Sequence, residues 1–192
     1  MNDVPSSELQ VAQDHRLTGA RWCASPNADE RPDPDDLSLI VVHAISLPPG
    51  EFGGPWIDAL FCNRLDACAH PYFATIAGLR VSAHCVIARD GGLTQYVSFD
   101  RRAWHAGASH FGQRERCNDF SVGVELEGCD HDPFSADQYT TLIALTRALR
   151  AACPAIGAEH IVGHSDIAPG RKTDPGPHFD WARYRAGLLH TP

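Results

Sequence analysis

The sequence predicts a single α/β domain in which a central mixed β-sheet is flanked by helices and carries long functional loops. Three observations predict it. Short β-branched runs are interleaved along the chain with two amphipathic helical stretches. Pro- and Gly-rich segments too long to be tight turns separate them. Finally, 192 residues that are 43% hydrophobic and 21% charged suffice for one core and leave little for a second.

Residues 1–20 are polar and irregular and read as a lead-in, so the domain is assigned to residues 21–192. Residues 26–36, rich in proline and acid, read as an exposed loop. Leu37–His43 is a short β-branched run, a buried strand by length and residue type. The Pro/Gly-rich stretch 46–56 is a loop, and a short helix from Trp56 to Leu65 follows. Leu79–Ile87 and Leu93–Phe99 read as strands joined by Asp90-Gly91-Gly92, a hairpin signal. Residues 100–118 show no periodicity. Val122, Val124 and Leu126 alternate through Ser121–Gly128, which makes a strand. Ser135 and Gln138 form a capping box that opens a helix to about Cys153. His160–His164 is one more short strand, 165–178 a loop, and Asp180 caps a last helix with Trp181, Tyr184 and Leu188 on one side.

Composition excludes several classes of function. The formal charge of −8 is the opposite of a nucleic-acid footprint. No apolar run reaches the length of a membrane span, and the N-terminus lacks the basic and apolar regions of a secretory signal. Seven cysteines, an odd number at scattered spacings with no CxxC, read as reduced thiols rather than a disulfide framework. A cytoplasmic protein is therefore expected.

Polar residues at strand ends are the ones to test for chemistry. His43 ends one predicted strand, His164 ends another, and Asp174 lies ten residues further on. Two imidazoles and a carboxylate suit zinc, and three protein ligands leave a fourth position open, as in catalytic sites. Water bound to such a metal ionises near neutrality. The spacing alone is not specific, because 11 histidines offer many such triads. A histidine at a strand end also serves as an ordinary hydrogen-bonding residue.

Local strings narrow the choice. IVVHAISLPPGEFGGPW (40–56), AHPYF (69–73), SAHCVI (82–87), RAWHAG (102–107), CNDFSVGVELEG (117–128), VGHSDIAPGRKTDPGP (162–177) and FDWARYR (179–185) occur in order. Together they resemble the cytoplasmic 1,6-anhydro-N-acetylmuramyl-L-alanine amidases. These belong to the type 2 zinc amidase family that also holds phage T7 lysozyme and the peptidoglycan recognition proteins. The resemblance runs from about Arg16 to Leu189. It implies one catalytic Zn2+ held by His43, His164 and Asp174, with Glu125 and Lys172 as catalytic residues. It implies that residues 21–192 are a zinc amidase domain acting on a small-molecule substrate, 1,6-anhydro-muramyl peptides, with no nucleic acid or membrane as partner. Cleavage of those peptides would serve peptidoglycan recycling and lower the muropeptide signal for β-lactamase induction. Position 44 is Ala where the family carries Asn next to the first ligand.

The residues themselves bear on this chemistry. Amide hydrolysis needs an activated water, relief of charge on the tetrahedral oxyanion and a proton for the departing amine. Alternation puts Glu125 and Glu127 on one strand face, so pattern alone does not separate them; the resemblance selects Glu125 and leaves Glu127→Ala expected to do little. Lys172 is the only lysine among 16 basic residues, a compact charge suited to an oxyanion. Arg80 and Arg116 are candidate forks for substrate carboxylates, and arginine equally serves as solvated surface. Trp104 and His105 are candidates to pack on the sugar, Tyr72 to line the site, and His84 to be a satisfied core histidine. Three rivals remain: an amidase acting on intact peptidoglycan outside the cytoplasm, a module that binds muropeptides without cleaving them, and a zinc that serves only as a structural staple.

Overall fold

Side chains branched at Cβ fill the strands that end up covered on both faces, where their stiffness matches a pleated, buried surface. The computed structural model describes residues 9–189. In chain order it contains β1 (Arg21–Trp22), β2 (Ala28–Glu30), β3 (Leu39–Ile45), α1 (Trp56–Phe61), α2 (Pro71–Ile76), β4 (Cys85–Ile87), β5 (Leu93–Gln95), β6 (Arg101–Ala103), β7 (His110–Phe111), β8 (Arg114–Glu115), β9 (Ser121–Glu127), α3 (Ala136–Ala152), β10 (Ile161–Gly163), α4 (His164–Ile167) and α5 (Trp181–Leu189). Six strands form a mixed sheet in the order β1-β5-β4-β9-β3-β10. The β4–β9, β9–β3 and β3–β10 pairs are parallel, whereas β5 returns antiparallel against β4. Two short ribbons, β2–β6 and β7–β8, stand apart. The mixed α/β architecture expected from the sequence is the one observed.

Register decides what each face of the sheet carries. In the β3–β9 pair Val41 stands beside Gly123 and His43 beside Glu125. Alternation sends Ile40, Val42, Val122, Val124 and Leu126 to one face, where they pack with Leu142 and Leu145 of α3 and Tyr184 of α5. The opposite face takes Leu39 and Val41, which pack with Ala106, Phe120 and Ile167. Further along the same face, toward the carboxyl ends of the parallel strands, come His43 and Glu125.

Several boundaries differ from expectation, each for a local reason. β3 starts and ends two residues later than Leu37–His43, so His43 lies inside the strand. Only the end of Leu79–Ile87 joins a ladder. Ser82 N donates to Trp104 O and Ser82 Oγ to Asn27 O, so loop partners hold that stretch. The hairpin at Asp90-Gly91-Gly92 forms, with Gly91 at φ +81°. α2, which apolar periodicity does not announce, is started by Pro71 and by His70 Nδ1 accepting from Tyr72 N. Segment 26–36 is not simply an exposed loop: β2 pairs with β6, and buried Arg31 donates to the carbonyls of Phe99, Asn118 and Ser121. Nor is 100–118 wholly irregular, since it supplies β6, β7 and β8. His164 opens α4 rather than closing a strand.

Within the 1–20 lead-in, residues 1–8 lie outside the described residues, while Leu17 is buried in the main core. The seven cysteines are free thiols. Among the described residues no helix is long and apolar enough to cross a membrane.

The capping box on α3 is present as read from sequence: Ser135 Oγ accepts from Gln138 N, and Gln138 Oε1 accepts from Ser135 N. Ser135 Oγ also donates to Arg89 O, tying the helix start to the β4–β5 hairpin. Ser135→Ala is expected to cost about 1–2 kcal/mol. Urea unfolding should show a lower midpoint with an unchanged slope.

Candidate metal centre and active site

Parallel pairing of β10 with β3 puts Gly163 beside Val42, so the next residue, His164, emerges next to His43. Gly163 is small for a reason: a Cβ there would stand 2.8 Å from Cδ of Pro175, in the loop that carries Asp174. Ser165 N donates to Asp174 O at 2.9 Å and fixes that loop against α4. Asp166 Oδ2 accepts from Gly163 N at 2.7 Å and steadies the strand-to-helix turn. Backbone geometry therefore brings together three residues that are far apart in sequence.

Their donor atoms almost touch. His43 Nδ1 and His164 Nδ1 are 2.9 Å apart, and each is 3.0 Å from Asp174 Oδ2. Both imidazoles are buried. His164 Nε2 lies 3.1 Å from Ala106 O, and a carbonyl only accepts, so Nε2 keeps the proton and Nδ1 presents its lone pair to the site. Burial pushes the His43 imidazole down to about 4 although contact with Asp174 opposes the shift, so the ring is neutral at pH 7. Burial alone would raise the Asp174 carboxyl, but the contacts with His164 and His43 outweigh it and hold the group well below the usual carboxylate range. Two imidazole nitrogens and one ionised carboxylate oxygen form a donor set that suits a divalent cation. Tetrahedral zinc would place such atoms about 3.3 Å apart, close to the spacing observed. Among the described residues this is the one cluster that could hold a metal ion.

A cleft of about 640 Å³ opens over these three residues, and Tyr72, Trp104, Glu125, Arg171 and Lys172 line it. The β3–β9 register sets Glu125 beside His43. Burial pushes the Glu125 carboxyl well above the usual range, Asp174 adds to the effect, and Lys172 opposes it. Such a group suits proton transfer near neutrality.

Glu127, indistinguishable from Glu125 by pattern, is in a different situation. Its Oε1 accepts from Gly53 N at 2.5 Å and its Oε2 from Arg89 N at 3.2 Å, so it secures the 46–56 loop. Glu127 is a buried clamp on a loop bordering the cleft, a structural place that alternation along the strand does not reveal.

The remaining sequence candidates divide. Trp104 faces the cleft while its Nε1 donates to Asp29 Oδ1 at 3.1 Å, and Asp29 is gripped by Arg102. Tyr72, on α2, is 36% exposed at the rim. His105 lies against His43, with its Nδ1 2.9 Å from His43 Nε2, and its ring also borders the cleft. Arg80 and Arg116 do not join the group lining the cleft. Arg80 donates to Ala77 O and Leu79 O, and Arg116 pairs with Asp119 at 3.2 Å. His84 is a satisfied core residue, with Nδ1 accepting from Gly123 N at 3.0 Å. Arg171 was not singled out from the sequence; its guanidinium donates to Ala106 O and Ala108 O at the edge of the cleft. Its signal was adjacency to Lys172.

The profile of the N-acetylmuramoyl-L-alanine amidase family matches residues 33–177. The chain is 63% identical over 169 residues to the 1,6-anhydro-N-acetylmuramyl-L-alanine amidase AmpD of Escherichia coli (strain K12), covering 88% of this chain and 92% of that protein. A crystal structure of a selenomethionine derivative of AmpD superposes with a TM-score of 0.90 at 60% identity, over 93% of this chain and 99% of the other. The amidase AmiD of E. coli, solved with anhydro-N-acetylmuramic acid-L-Ala-D-γ-Glu-L-Lys, matches with a TM-score of 0.59 at 25% identity, covering 94% of this chain and 65% of the other.

Two outcomes test this electrostatic account. A carboxyl whose folded-state pKa is raised costs stability above its unfolded pKa and nothing below it. In metal-free protein, Glu125→Gln is thus expected to raise the urea midpoint at pH 8 and leave it unchanged at pH 4. An unchanged midpoint at pH 8 would contradict the burial of an ionisable Glu125. Glu127→Ala is expected to leave metal binding intact while exposing segment 46–56, seen as faster amide hydrogen exchange at Gly53.

Proposed function

The chain belongs to the N-acetylmuramoyl-L-alanine amidase family, and from that premise we propose that it is the zinc-dependent enzyme of anhydromuropeptide breakdown. It hydrolyses the amide between the lactyl group of 1,6-anhydro-N-acetylmuramic acid and L-Ala of the stem peptide, in the cytoplasmic recycling of peptidoglycan. By consuming these peptides it lowers the signal for β-lactamase induction. The observation that carries the reading is the convergence of His43, His164 and Asp174 with an elevated Glu125 beside them in one cleft.

Zinc held by His43, His164 and Asp174 would supply Lewis acidity toward the scissile carbonyl and toward water. Glu125 binds a proton more tightly than an ordinary carboxylate. It accepts the proton of the attacking water and returns it to the departing amine nitrogen, without which the amine is a poor leaving group. Lys172, at the same cleft, offers a compact ammonium to the oxyanion. Trp104 presents its ring to the sugar, braced by Asp29, and Tyr72 borders the path of the peptide. Arg171 and Lys172 make one edge of the cleft cationic although the chain as a whole carries −8, which favours a peptide bearing carboxylates.

Asp174→Ala is expected to lose stoichiometric zinc and hydrolysis together, as read by metal analysis and by release of stem peptide from anhydromuropeptide. Activity surviving in that variant would eliminate the ligand set. Glu125→Ala should keep zinc while kcat falls by about 10²–10⁴-fold, and Lys172→Ala should lower kcat by about 10²–10³-fold. The parent should cleave anhydromuropeptide much faster than intact peptidoglycan. The reverse preference would identify a lytic amidase, and binding without turnover in zinc-loaded protein a recognition module.

A further inference from the structure

Running from Cys117 to His43, four groups form an unbroken hydrogen-bond chain. Cys117 O is a carbonyl and only accepts. Ser121 Oγ is 2.6 Å from it, so the hydroxyl proton points there. With that proton committed, the oxygen is left to accept from His105 Nε2 at 3.3 Å. A proton on Nε2 leaves His105 Nδ1 with a bare lone pair. His43 Nε2, 2.9 Å away, must then donate to it. His43 consequently carries its proton on Nε2 and turns a bare Nδ1 toward His164 Nδ1 and Asp174 Oδ2. Each link is forced by the one before it, starting from a backbone carbonyl that cannot change its role.

The ring of His105 is also seated so that it cannot turn away. It rests on β9 at Gly123, where a Cβ would stand 2.4 Å from its Cγ and 2.6 Å from its Nδ1. The backbone N–H groups of His105 and Ala106 both donate to Asn118 Oδ1, at 3.2 Å and 2.8 Å.

We propose that His105, oriented by Ser121 and seated on Gly123, is the positioning residue that sets the tautomer of His43 and so directs it to bind metal through Nδ1. His105 is not among the three residues whose donor atoms converge, although its ring borders the cleft. It acts on the metal through His43, as the backbone carbonyl of Ala106 acts on His164.

This inference rests on the zinc reading above, and one experiment separates the two. Zinc affinity is measured by competition with a chromophoric chelator for the parent, His105→Phe, His105→Asn and Ser121→Ala, alongside the urea midpoint of each metal-free protein. Phe keeps a ring over Gly123 but offers no acceptor; Asn offers Oδ1 near the position of Nδ1. The expected result is a 10–100-fold loss of affinity in His105→Phe, recovery of most of it in His105→Asn, and a smaller loss in Ser121→Ala. Parent-like affinity in His105→Phe, or equal losses in Phe and Asn, overturns the proposal while leaving the zinc reading intact. A parent that binds no zinc overturns both. Should the Phe variant fail to fold, long-range proton–nitrogen NMR on the unsubstituted zinc-loaded protein decides. His43 protonated at Nε2 and metal-bound at Nδ1 supports the proposal, and the opposite assignment refutes it.

Discussion

Three electron-pair donors held about 3 Å apart repel one another unless positive charge lies among them. The approach of His43, His164 and Asp174 is therefore imposed by the surrounding fold, and much of the fold can be understood as imposing it. Parallel pairing sets β3 beside β10 in a register that carries His164 to the flank of His43. A glycine before His164 lets the Asp174 loop come close, and a backbone hydrogen bond from Ser165 holds it there. Behind the rings, Ala106 O and His105 hold the outward nitrogens. Pre-organised donors of this kind give a metal site whose ordering cost is met during folding rather than on binding.

The two faces of the sheet divide the work. One is apolar from Ile40 to Leu126 and is sealed by α3 and α5, which anchors the strands. The other carries the ionisable groups where the parallel strands end. Glu125 and Glu127 show how far neighbours on one face can diverge. Glu127 is satisfied by Gly53 N and Arg89 N and contributes to structure. The Glu125 carboxyl is buried with no hydrogen bond to relieve it and lies near the Asp174 charge, so its ionisation opposes folding. A destabilising group kept at a site of chemistry is the usual compromise between stability and activity.

Charge follows the same local logic. The chain is acidic overall, yet Arg171 and Lys172 adjoin one cleft. The groups that shape that cleft are themselves fixed from outside it. Trp104 is held through Asp29 and Arg102, and the 46–56 loop through Glu127. Substrate contact and structural support thus fall on different residues, so substitution at a supporting position changes the geometry of the site without removing a contacting group.

By itself the sequence determined the elements whose signal is local: the β-branched cores of β3 and β9, the Asp90-Gly91-Gly92 turn, the Ser135–Gln138 capping box and the Asp180 cap. Its ordered strings also pointed to His43, His164, Asp174, Glu125 and Lys172, which the structure gathers around one cleft. Tertiary structure alone decided what depends on partners distant in the chain. Arg31 is buried because carbonyls from 99, 118 and 121 surround it, not because of its own neighbours. The His105 ring reaches His43 because Gly123, on β9, has no side chain where that ring lies. Arg80 and Arg116 found closer carbonyl and carboxylate partners than any in the cleft. Periodicity encodes which face a residue takes within its own element; register and loop approach, which set what it meets there, arise only when the elements pack.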